Sequence, residues 1–311
     1  MAKIASRLTA VLLVLAMHTA LPAPAQAQLA RTFVSAATGN DASDCNRPTP
    51  CRTFQRAHDA TFDQGEIAVL DTGGYGAVTI SKSISIVSEV GEASILVSGG
   101  ATGITINAPN AYVNLRGLTI QGIGFGGGTG LAFRAGFALT ITNCVIRNLT
   151  ADGIDFEPTG TAQLAVSSTL IADNGGVGIR AGGIGSSLKV DIERVEVRNN
   201  SLYGAYLLGV AGGLHTSIVD SAFSGNDTGI FAQGALGQPS TVAVMHSALS
   251  NNRKTAATAS GTSFIAMGQS LISGNSLTWD NPEGGKVFSF GDNYIFGNFD
   301  GDRPIPVIAR G

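Results

Sequence analysis

The amino-acid sequence predicts an all-β fold, a right-handed parallel β-helix of about nine to ten turns with a short N-terminal capping helix. The main observation is a series of asparagines that recur every 26 residues, namely Asn148, Asn174, Asn200, Asn226 and Asn252. Two further asparagines follow at intervals of 23 residues, and each member lies three residues after an apolar or aromatic side chain. A fixed period of about 20 to 50 residues is typical of stacked supersecondary units.

Three short strands are expected in each turn. Leu164 and Val166 alternate with polar residues, and Thr169 and Ile171 do so again after a break in phase that marks a corner. A glycine followed by an apolar residue then opens a third strand. We expect the asparagines to form a ladder in a corner, because Asn tolerates a left-handed backbone conformation and stacked amides can pass hydrogen bonds from turn to turn.

Residues 1–27 have the pattern of a secretory signal peptide. A basic start with Lys3 and Arg7 precedes an apolar core at residues 8–20, and Ala25-Gln26-Ala27 matches a small-x-small cleavage site. The alternative is an uncleaved N-terminal anchor, which two prolines in the segment disfavour. We therefore expect a secreted or periplasmic protein.

The rest of the chain is expected to form one elongated domain. Residues 28–66 are an N-terminal cap, residues 67–298 the β-helix, and residues 299–311 a C-terminal cap. Within the first cap, residues 51–62 suit a short amphipathic helix that covers the open end of the coil with three apolar side chains: Phe54, Ala57 and Phe62.

Two cysteines in this cap, Cys45 and Cys51, lie six residues apart around two prolines. In an exported chain, a disulfide that closes this small loop is the expected arrangement. A metal-binding pair is the alternative, but no histidine adjoins them. Cys144 is then left over, and we expect a half-buried thiol in a strand, with an intermolecular disulfide as the alternative.

Composition excludes several classes of partner. Removal of residues 1–27 leaves 17 basic groups (19 − 2) against 22 acidic ones, and no basic run or Lys/Arg stripe is present. This pattern argues against nucleic acid and anionic membrane surfaces. No later stretch has about 18 consecutive apolar residues, so no membrane span is expected. The sequence indicates no cofactor, no metal and no particular oligomeric state.

The N-terminal block resembles the opening of secreted β-helix proteins of the pectate-lyase-like superfamily. The resemblance rests on Phe33-Val34-Ser35, Gly39-Asn40-Asp41, Pro50, Thr53-Phe54 and Ala57, and on later turns of the Ser-x-Ile-x-x-Asn type. It implies a superfamily of polysaccharide lyases, glycoside hydrolases, pectin esterases, uronate epimerases and inert spikes or adhesins. The chain has none of four catalytic signatures of that superfamily: Asn-Thr-Asp with Gly-His-Gly, Arg-x-Pro-x-x-Arg, Gln-Asp-Thr-Leu and Asp-Pro-His-Asp.

Equivalent positions of successive turns should lie about 4.8 Å apart, so candidate sites are columns rather than linear motifs. The corner column, six residues before the asparagines, contains Ser168, Arg194, Asp220 and His246. With Arg194 at an oxyanion or uronate, Asp220 orienting His246 and His246 as base, this column would suit elimination or hydrolysis of an acidic glycan. A salt-bridged surface ladder is the alternative.

A second column, which we call the strip, contains Asp155, Arg180, Tyr206 and Phe231, with Asp152 and Glu157 close by. Aromatic faces pack on sugar rings, and charged groups bind hydroxyls or carboxylates. This combination predicts a sugar-binding surface, although chance composition also produces such columns.

One turn carries outward charges, including Asp191 and Glu193, between neighbouring turns with small side chains. These two residues are candidate contributors to a substrate groove, and the alternative is a charged strip that solubilises an exposed sheet. Calcium binding by the carboxylates is disfavoured because arginines nearby compete for them.

Three functions are compatible with these features. The first is a surface-associated protein that binds a polysaccharide or cell-surface glycan without catalysis. The second is a polysaccharide lyase or glycoside hydrolase that uses the corner column. The third is a structural spike or adhesin module.

Overall fold

Backbone hydrogen bonds join equivalent segments of successive turns into three parallel sheets. A computed structural model describes residues 28–122, 126–183, 187–209, 211–234 and 238–308. Within these ranges, sheet A has 11 strands, sheet B has 10 and sheet C has 9, and the chain visits A, B and C in turn. The predicted parallel β-helix is confirmed. The predicted signal peptide lies outside the described residues.

In chain order the strands are β1 (Leu29–Val34), β2 (Thr61–Val69), β3 (Gly73–Gly74), β4 (Val78–Ile80), β5 (Ile84–Val87), β6 (Ala93–Leu96), β7 (Ile104–Asn107), β8 (Tyr112–Arg116), β9 (Leu118–Gln121), β10 (Leu131–Ala135), β11 (Ala138–Thr142), β12 (Val145–Arg147), β13 (Ile154–Phe156), β14 (Ala162–Ser167), β15 (Leu170–Ala172), β16 (Ile179–Ala181), β17 (Leu188–Glu193), β18 (Glu196–Arg198), β19 (Tyr203–Gly209), β20 (Leu214–Val219), β21 (Ala222–Ser224), β22 (Thr228–Gly234), β23 (Ser240–Met245), β24 (Ala248–Ser250), β25 (Thr255–Gly261), β26 (Phe264–Gly268), β27 (Leu271–Ser273), β28 (Leu277–Asp280), β29 (Lys286–Ser289) and β30 (Tyr294–Phe296). Sheet A comprises β1, β2 and every third strand from β5; sheet B comprises every third strand from β3, and sheet C every third strand from β4.

The core is a set of inward columns that run along the coil. Val190 of β17 pairs in register with Leu164 before it and Thr216 after it, and all three are buried. In the same core, the rings of Phe133 and Phe156 stack with centroids 4.7 Å apart. Burial of one face of most strands explains the period-two alternation in the sequence.

The corner between sheets A and B has a left-handed residue in every turn from β11 to β27. Ser168, Arg194, Asp220, His246 and Gln269 all have φ between 48° and 53°. The residue after each of them points inward, and in several turns it is a serine whose hydroxyl accepts a backbone N–H from the previous turn. Ser221 accepts from Val195, Ser247 from Ser221, and Ser270 from Ser247, all at 3.1 Å. This hydroxyl ladder satisfies buried amides that the corner leaves unpaired.

The corner between sheets B and C contains the asparagine ladder. Side-chain amides at positions 174, 200, 226 and 252 each donate to the next asparagine at 2.9 to 3.3 Å, and the ladder continues through Asn275 to Asn298. Gly204 follows this corner in the turn of Asn200, and a larger residue would not fit there. A Cβ at Gly204 would lie 2.9 Å from Asn226 Nδ2 and 2.6 Å from Gly229 O.

Two details of the ladder differ from the sequence prediction. The left-handed residue is the one before the ladder asparagine, as at Asp173 and Asn199, and not the ladder asparagine itself. Asn148 lies outside the ladder, since Val145 pairs with Leu170 and Asn148 therefore aligns with Asp173. Leu149 occupies the ladder position in that turn. The physical reason is that the turn from 148 to 173 is one residue shorter than the 26-residue period.

The N-terminal end is closed by a helix, α1 (Phe54–Ala60), with Thr53 as its N-cap. Phe54 and Ala57 are buried as expected, whereas Phe62 belongs to β2 and is half exposed. The expected disulfide joins Cys45 to Cys51. Strands β1 and β2, within residues 28–69, already belong to sheet A.

Asp71 fixes the start of the coil. Its carboxylate accepts hydrogen bonds from Ser35 Oγ at 2.5 Å, Tyr75 Oη at 2.6 Å and the backbone amides of Ala36 and Ala37. Burial by itself would raise the pKa of Asp71, but these hydrogen bonds outweigh it and lower the pKa to about 2. The carboxylate therefore ties the segment after β1 to the segment after β2.

The C-terminal end is covered by a proline-containing segment. Ile305 is buried, Pro304 O accepts a hydrogen bond from Trp279 Nε1 at 3.2 Å, and the Arg303 guanidinium lies 3.9 Å from the centroid of the Trp279 ring. This segment reaches the edge of sheet A through a single bridge between Ser289 and Val307. In the part of the chain that the structure describes, no helix has the length and apolar character needed to cross a membrane.

Candidate functional site

The strip predicted from the sequence is a continuous column on the outer face of sheet C. Asp155 of β13 pairs in register with Arg180 of β16, Arg180 with Tyr206 of β19, and Tyr206 with Phe231 of β22. The strand period of two places these four side chains on the same face. Because the strands are adjacent, the strip presents charged groups at one end and aromatic rings at the other.

Arg180 connects the two halves of the strip. Its Nε donates to Asp152 Oδ2 at 2.6 Å, and its guanidinium carbon lies 5.3 Å from the centroid of the Tyr206 ring. Asp152 Oδ1 in turn accepts the backbone amide of Val177 at 2.7 Å. Although burial opposes it, the hydrogen bond to Asp152 raises the pKa of Arg180. The side chain is thus held charged over the aromatic end.

The aromatic end is a cluster of three rings. Tyr203 and Tyr206 stack with centroids 5.3 Å apart, and Phe231 lies 4.9 Å from Tyr203 and 5.6 Å from Tyr206. Tyr206 Oη donates to Gln233 Oε1 at 2.6 Å, which fixes the orientation of its ring. Burial raises the pKa of Tyr206. Sequence analysis identified Tyr206 and Phe231 but not Tyr203, which lies at the corner where β19 begins.

The charged end includes Arg134, which sequence analysis did not identify. The pairing of β10 with β7 shifts register between Phe133 and Ala135, so Arg134 is the extra residue of a bulge. Its guanidinium pairs with Asp155 through Nη2, and its Nη1 lies 3.7 Å from Glu157 Oε2. Because the bulge shifts the register, Arg134 is not at the sequence spacing of the strip, and aligning the turns by their period does not identify it.

Glu157 is the least satisfied group of the charged end. Its carboxylate makes no hydrogen bond to any described residue, although it pairs loosely with Arg134, and its side chain is 47% exposed. Partial burial, and then the negative charge of Asp155, raise the pKa of Glu157. Asp155 Oδ1 is buried and has no hydrogen-bond partner among the residues that the structure describes. Arg134 Nη1 is likewise buried without a hydrogen-bond partner there, so the charged end offers an exposed acceptor at Glu157 and an unused donor behind it.

The corner column brings Asp220 beside His246, as expected, but Arg194 does not join them. The Arg194 guanidinium pairs with Glu193, its neighbour in the chain, rather than with Asp220. His246 Nδ1 lies 3.9 Å from Asp220 Oδ1, and both side chains are about half exposed, at 54% and 52%. The shallow hollow around them has a volume of about 560 Å³. All three occupy the left-handed corner position, which is a sufficient structural reason for the column.

Asp191 and Glu193 lie on sheet A and not with the strip. They are outward residues of β17, and both are exposed. Asp191 faces Ala165 and Ser217 on the neighbouring strands. The six residues that the sequence proposed for substrate binding are therefore divided between two faces of the coil.

A groove on the outer face of sheet A was not anticipated. It has a volume of about 650 Å³ and is bounded by Tyr112, whose ring lies 5.2 Å from that of Phe137. Its floor is a column of aligned polar side chains, Ser85, Asn114 and Thr140, which make no side-chain hydrogen bond to the described residues. Isolated polar residues of this kind are common in any sequence. The groove becomes apparent only when the strand register shows that these three are aligned on adjacent strands.

No group of three or more His, Cys, Asp or Glu side chains is arranged to hold a metal ion within the described ranges. Cys144 was expected to be a half-buried thiol in a strand, but it is fully buried and lies in the corner between β11 and β12. Burial raises its pKa to about 11. Neither feature adds a chemical group to the strip or to the sheet A groove.

The fold is a pectate-lyase-like β-helix, which confirms the resemblance seen in the sequence at the level of fold. The crystal structure of pectate lyase Pel9A is similar with a TM-score of 0.63 and 15% sequence identity, over 83% of this chain and 74% of that chain. At this identity the similarity concerns the architecture alone. No family model matches the chain, and no curated protein matches it either.

Proposed function

We propose that the protein binds an extended polysaccharide or cell-surface glycan along the strip of sheet C. The observation that carries this proposal is the continuous surface formed by the Tyr203, Tyr206 and Phe231 rings beside Arg180 and the carboxylates. Sugar rings pack on aromatic faces, while flanking charged groups accept or donate hydrogen bonds to hydroxyls.

The side chains of this surface are already held in place, which lowers the entropic cost of binding a ligand. Tyr206 is fixed by Gln233, and Arg180 by Asp152, so little side-chain entropy would be lost when a ligand binds. Because β13, β16, β19 and β22 are hydrogen-bonded neighbours, the strip is long enough to contact several consecutive sugar units. The Cys45–Cys51 disulfide is consistent with an oxidising compartment, where such glycans occur.

Affinity electrophoresis in gels containing a soluble polysaccharide tests the proposal. A panel of neutral, acidic and amino polysaccharides is compared for retardation of the wild type. For a retarding polysaccharide, Tyr206→Ala is expected to weaken binding by about tenfold, whereas Tyr206→Phe, which keeps the ring, retains most of the affinity.

Tyr294→Ala is the matched control, because Tyr294 is an exposed tyrosine on sheet B, away from the strip. Equal loss of retardation in Tyr206→Ala and Tyr294→Ala would remove the strip as the binding surface. A wild-type protein that no polysaccharide retards would overturn the proposed function.

The sheet A groove is a second surface on which the same function can be tested. Its aromatic wall and unpartnered polar floor also suit a sugar unit. Tyr112→Ala is the informative variant, because Tyr112 is 60% exposed and its removal leaves the core intact. Loss of retardation in this variant, with Tyr206→Ala unaffected, would move the proposed site from sheet C to sheet A.

A further inference from the structure

The balance of charge on the strip restricts the ligand that the strip can accept. Its charged end contains two guanidinium groups, Arg134 and Arg180, and three carboxylates, Asp152, Asp155 and Glu157. Arg134 pairs with both Asp155 and Glu157, and Arg180 pairs with Asp152, so three carboxylates share two cations. One carboxylate charge is therefore left over, in a chain whose formal net charge is −3.

The surplus charge is located on Glu157. Arg134 is its nearest cation, but the hydrogen bond of that guanidinium goes to Asp155. Glu157 is the most exposed of the three carboxylates, at 47% against 14% for Asp152 and 12% for Asp155. An incoming ligand consequently meets Glu157 first, as a hydrogen-bond acceptor without a bound donor.

We propose that the strip is selective for glycans with free amino groups, that is, for hexosamine units whose nitrogen is not acetylated. This proposal rests on the proposed glycan binding and names its ligand class. The ammonium group would pair with Glu157 at the charged end while a neighbouring sugar ring packs on Tyr206. A uronate at the same position would be repelled by Glu157, because the only cation beside that carboxylate among the described residues, Arg134, already shares its charge with Asp155.

The raised pKa of Glu157 agrees with this assignment, since partial burial and the neighbouring Asp155 both disfavour its negative charge. A bound cation would relieve that cost. The groups that face Glu157 are Arg134 and Asp155, with Arg180 and Asp152 further along the strip. Of these groups, both arginines are engaged with aspartates.

Isothermal titration with three oligosaccharides of equal length tests the proposal: a β-1,4-linked glucosamine hexamer, its fully N-acetylated counterpart and a galacturonate hexamer. We expect the glucosamine hexamer to bind about fivefold or more tightly than the acetylated hexamer, and the galacturonate hexamer to bind most weakly. Increasing salt is expected to reduce the preference for the free amine.

Glu157→Gln is the discriminating variant, because it removes the charge and keeps the shape of a half-exposed side chain. It is expected to lower affinity for the glucosamine hexamer about fivefold and to leave the acetylated hexamer unchanged. Glu89→Gln is the matched control, since Glu89 is an exposed carboxylate outside the strip that faces Arg116 at 3.8 Å. Equal effects of the two variants would indicate nonspecific attraction to an acidic protein and would overturn the proposal.

The outcomes also separate this inference from the proposed function. Tighter binding of the acetylated or galacturonate hexamer, lost in Tyr206→Ala, would overturn the amine selectivity and leave glycan binding in place. Absence of binding to all three hexamers and to the polysaccharide panel would overturn both.

Discussion

Asn148 and Asn174 are 26 residues apart in the sequence, yet they do not occupy equivalent positions in successive turns. Asn148 aligns with Asp173, and both have a left-handed backbone with φ of 56° and 58°. Leu149 takes the ladder position, where its backbone amide donates to Asn174 Oδ1 at 3.2 Å. The first asparagine of the series thus serves a backbone conformation, and the second serves a buried hydrogen bond.

We expect glycine to separate these two roles. Asn148→Gly should change the free energy of unfolding by less than about 1 kcal/mol, because glycine adopts a left-handed conformation readily. Asn174→Gly should lower it by about 3 kcal/mol, because the Leu149 amide and Asn200 Oδ1 lose buried partners. Urea unfolding followed by circular dichroism measures both, with Ser217→Ala, an exposed outward residue of β20, as the control. Similar losses in the two glycine variants would contradict the assigned register.

The corner column is open to a test that distinguishes conformation from catalysis. If His246 is there for its left-handed backbone, His246→Gly should be neutral or stabilising by up to about 1 kcal/mol, and His246→Val should be destabilising by about 1 to 2 kcal/mol.

The same two variants are incubated with acidic polysaccharides, and release of reducing ends or unsaturated uronates is followed. Product formed by the wild type and abolished in a fully folded His246→Gly variant would establish a chemical role for the histidine. The geometry leads us to expect no difference between them.

The hydrogen-bonded carboxylate of Asp71 should make the free energy of unfolding depend on pH in the acid range. Its folded-state pKa of about 2 lies below the ordinary 3.8, so its contribution is present above pH 4 and is lost as the pH falls from 4 towards 2. Asp71→Asn should be less stable than the wild type at pH 5, and the difference should shrink towards pH 2. Thermal unfolding over this range measures it. Asp191→Asn, which changes an exposed carboxylate, should show no such convergence, and a constant difference for Asp71→Asn would refute the assignment.

The cysteines predict a defined pattern of thiol reactivity. The native protein should show no rapid reaction with a chromogenic disulfide reagent at pH 8, because Cys144 is buried and its pKa is raised to about 11. Unfolding without a reductant should expose one thiol per chain, and unfolding after reduction should expose three. Three thiols without a reductant would exclude the Cys45–Cys51 bond in solution.

Sequence reasoning recovered the features that repeat and missed those that interrupt the repeat. The column from Asp155 through Arg180 to Tyr206 was assembled from spacing alone, because four consecutive turns preserve it. Arg134 was missed because a bulge removes it from register. The hydroxyl ladder through Ser221 was not predicted, because an apolar residue at the same inward position would give the same alternation.

The sequence by itself determined the architecture of this protein. Apolar alternation, glycines at the start of sheet C and asparagines at one corner constrain the backbone locally, and local constraints repeated many times leave a single way to stack. Only the tertiary structure decided which polar columns act together. It put Asp191 on one face and Asp155 on another, paired Arg194 with Glu193, and left Glu157 without a hydrogen-bond donor. Such pairings depend on the length of each side chain and on changes of one residue in the length of a turn. Neither can be read from the regular period of the sequence.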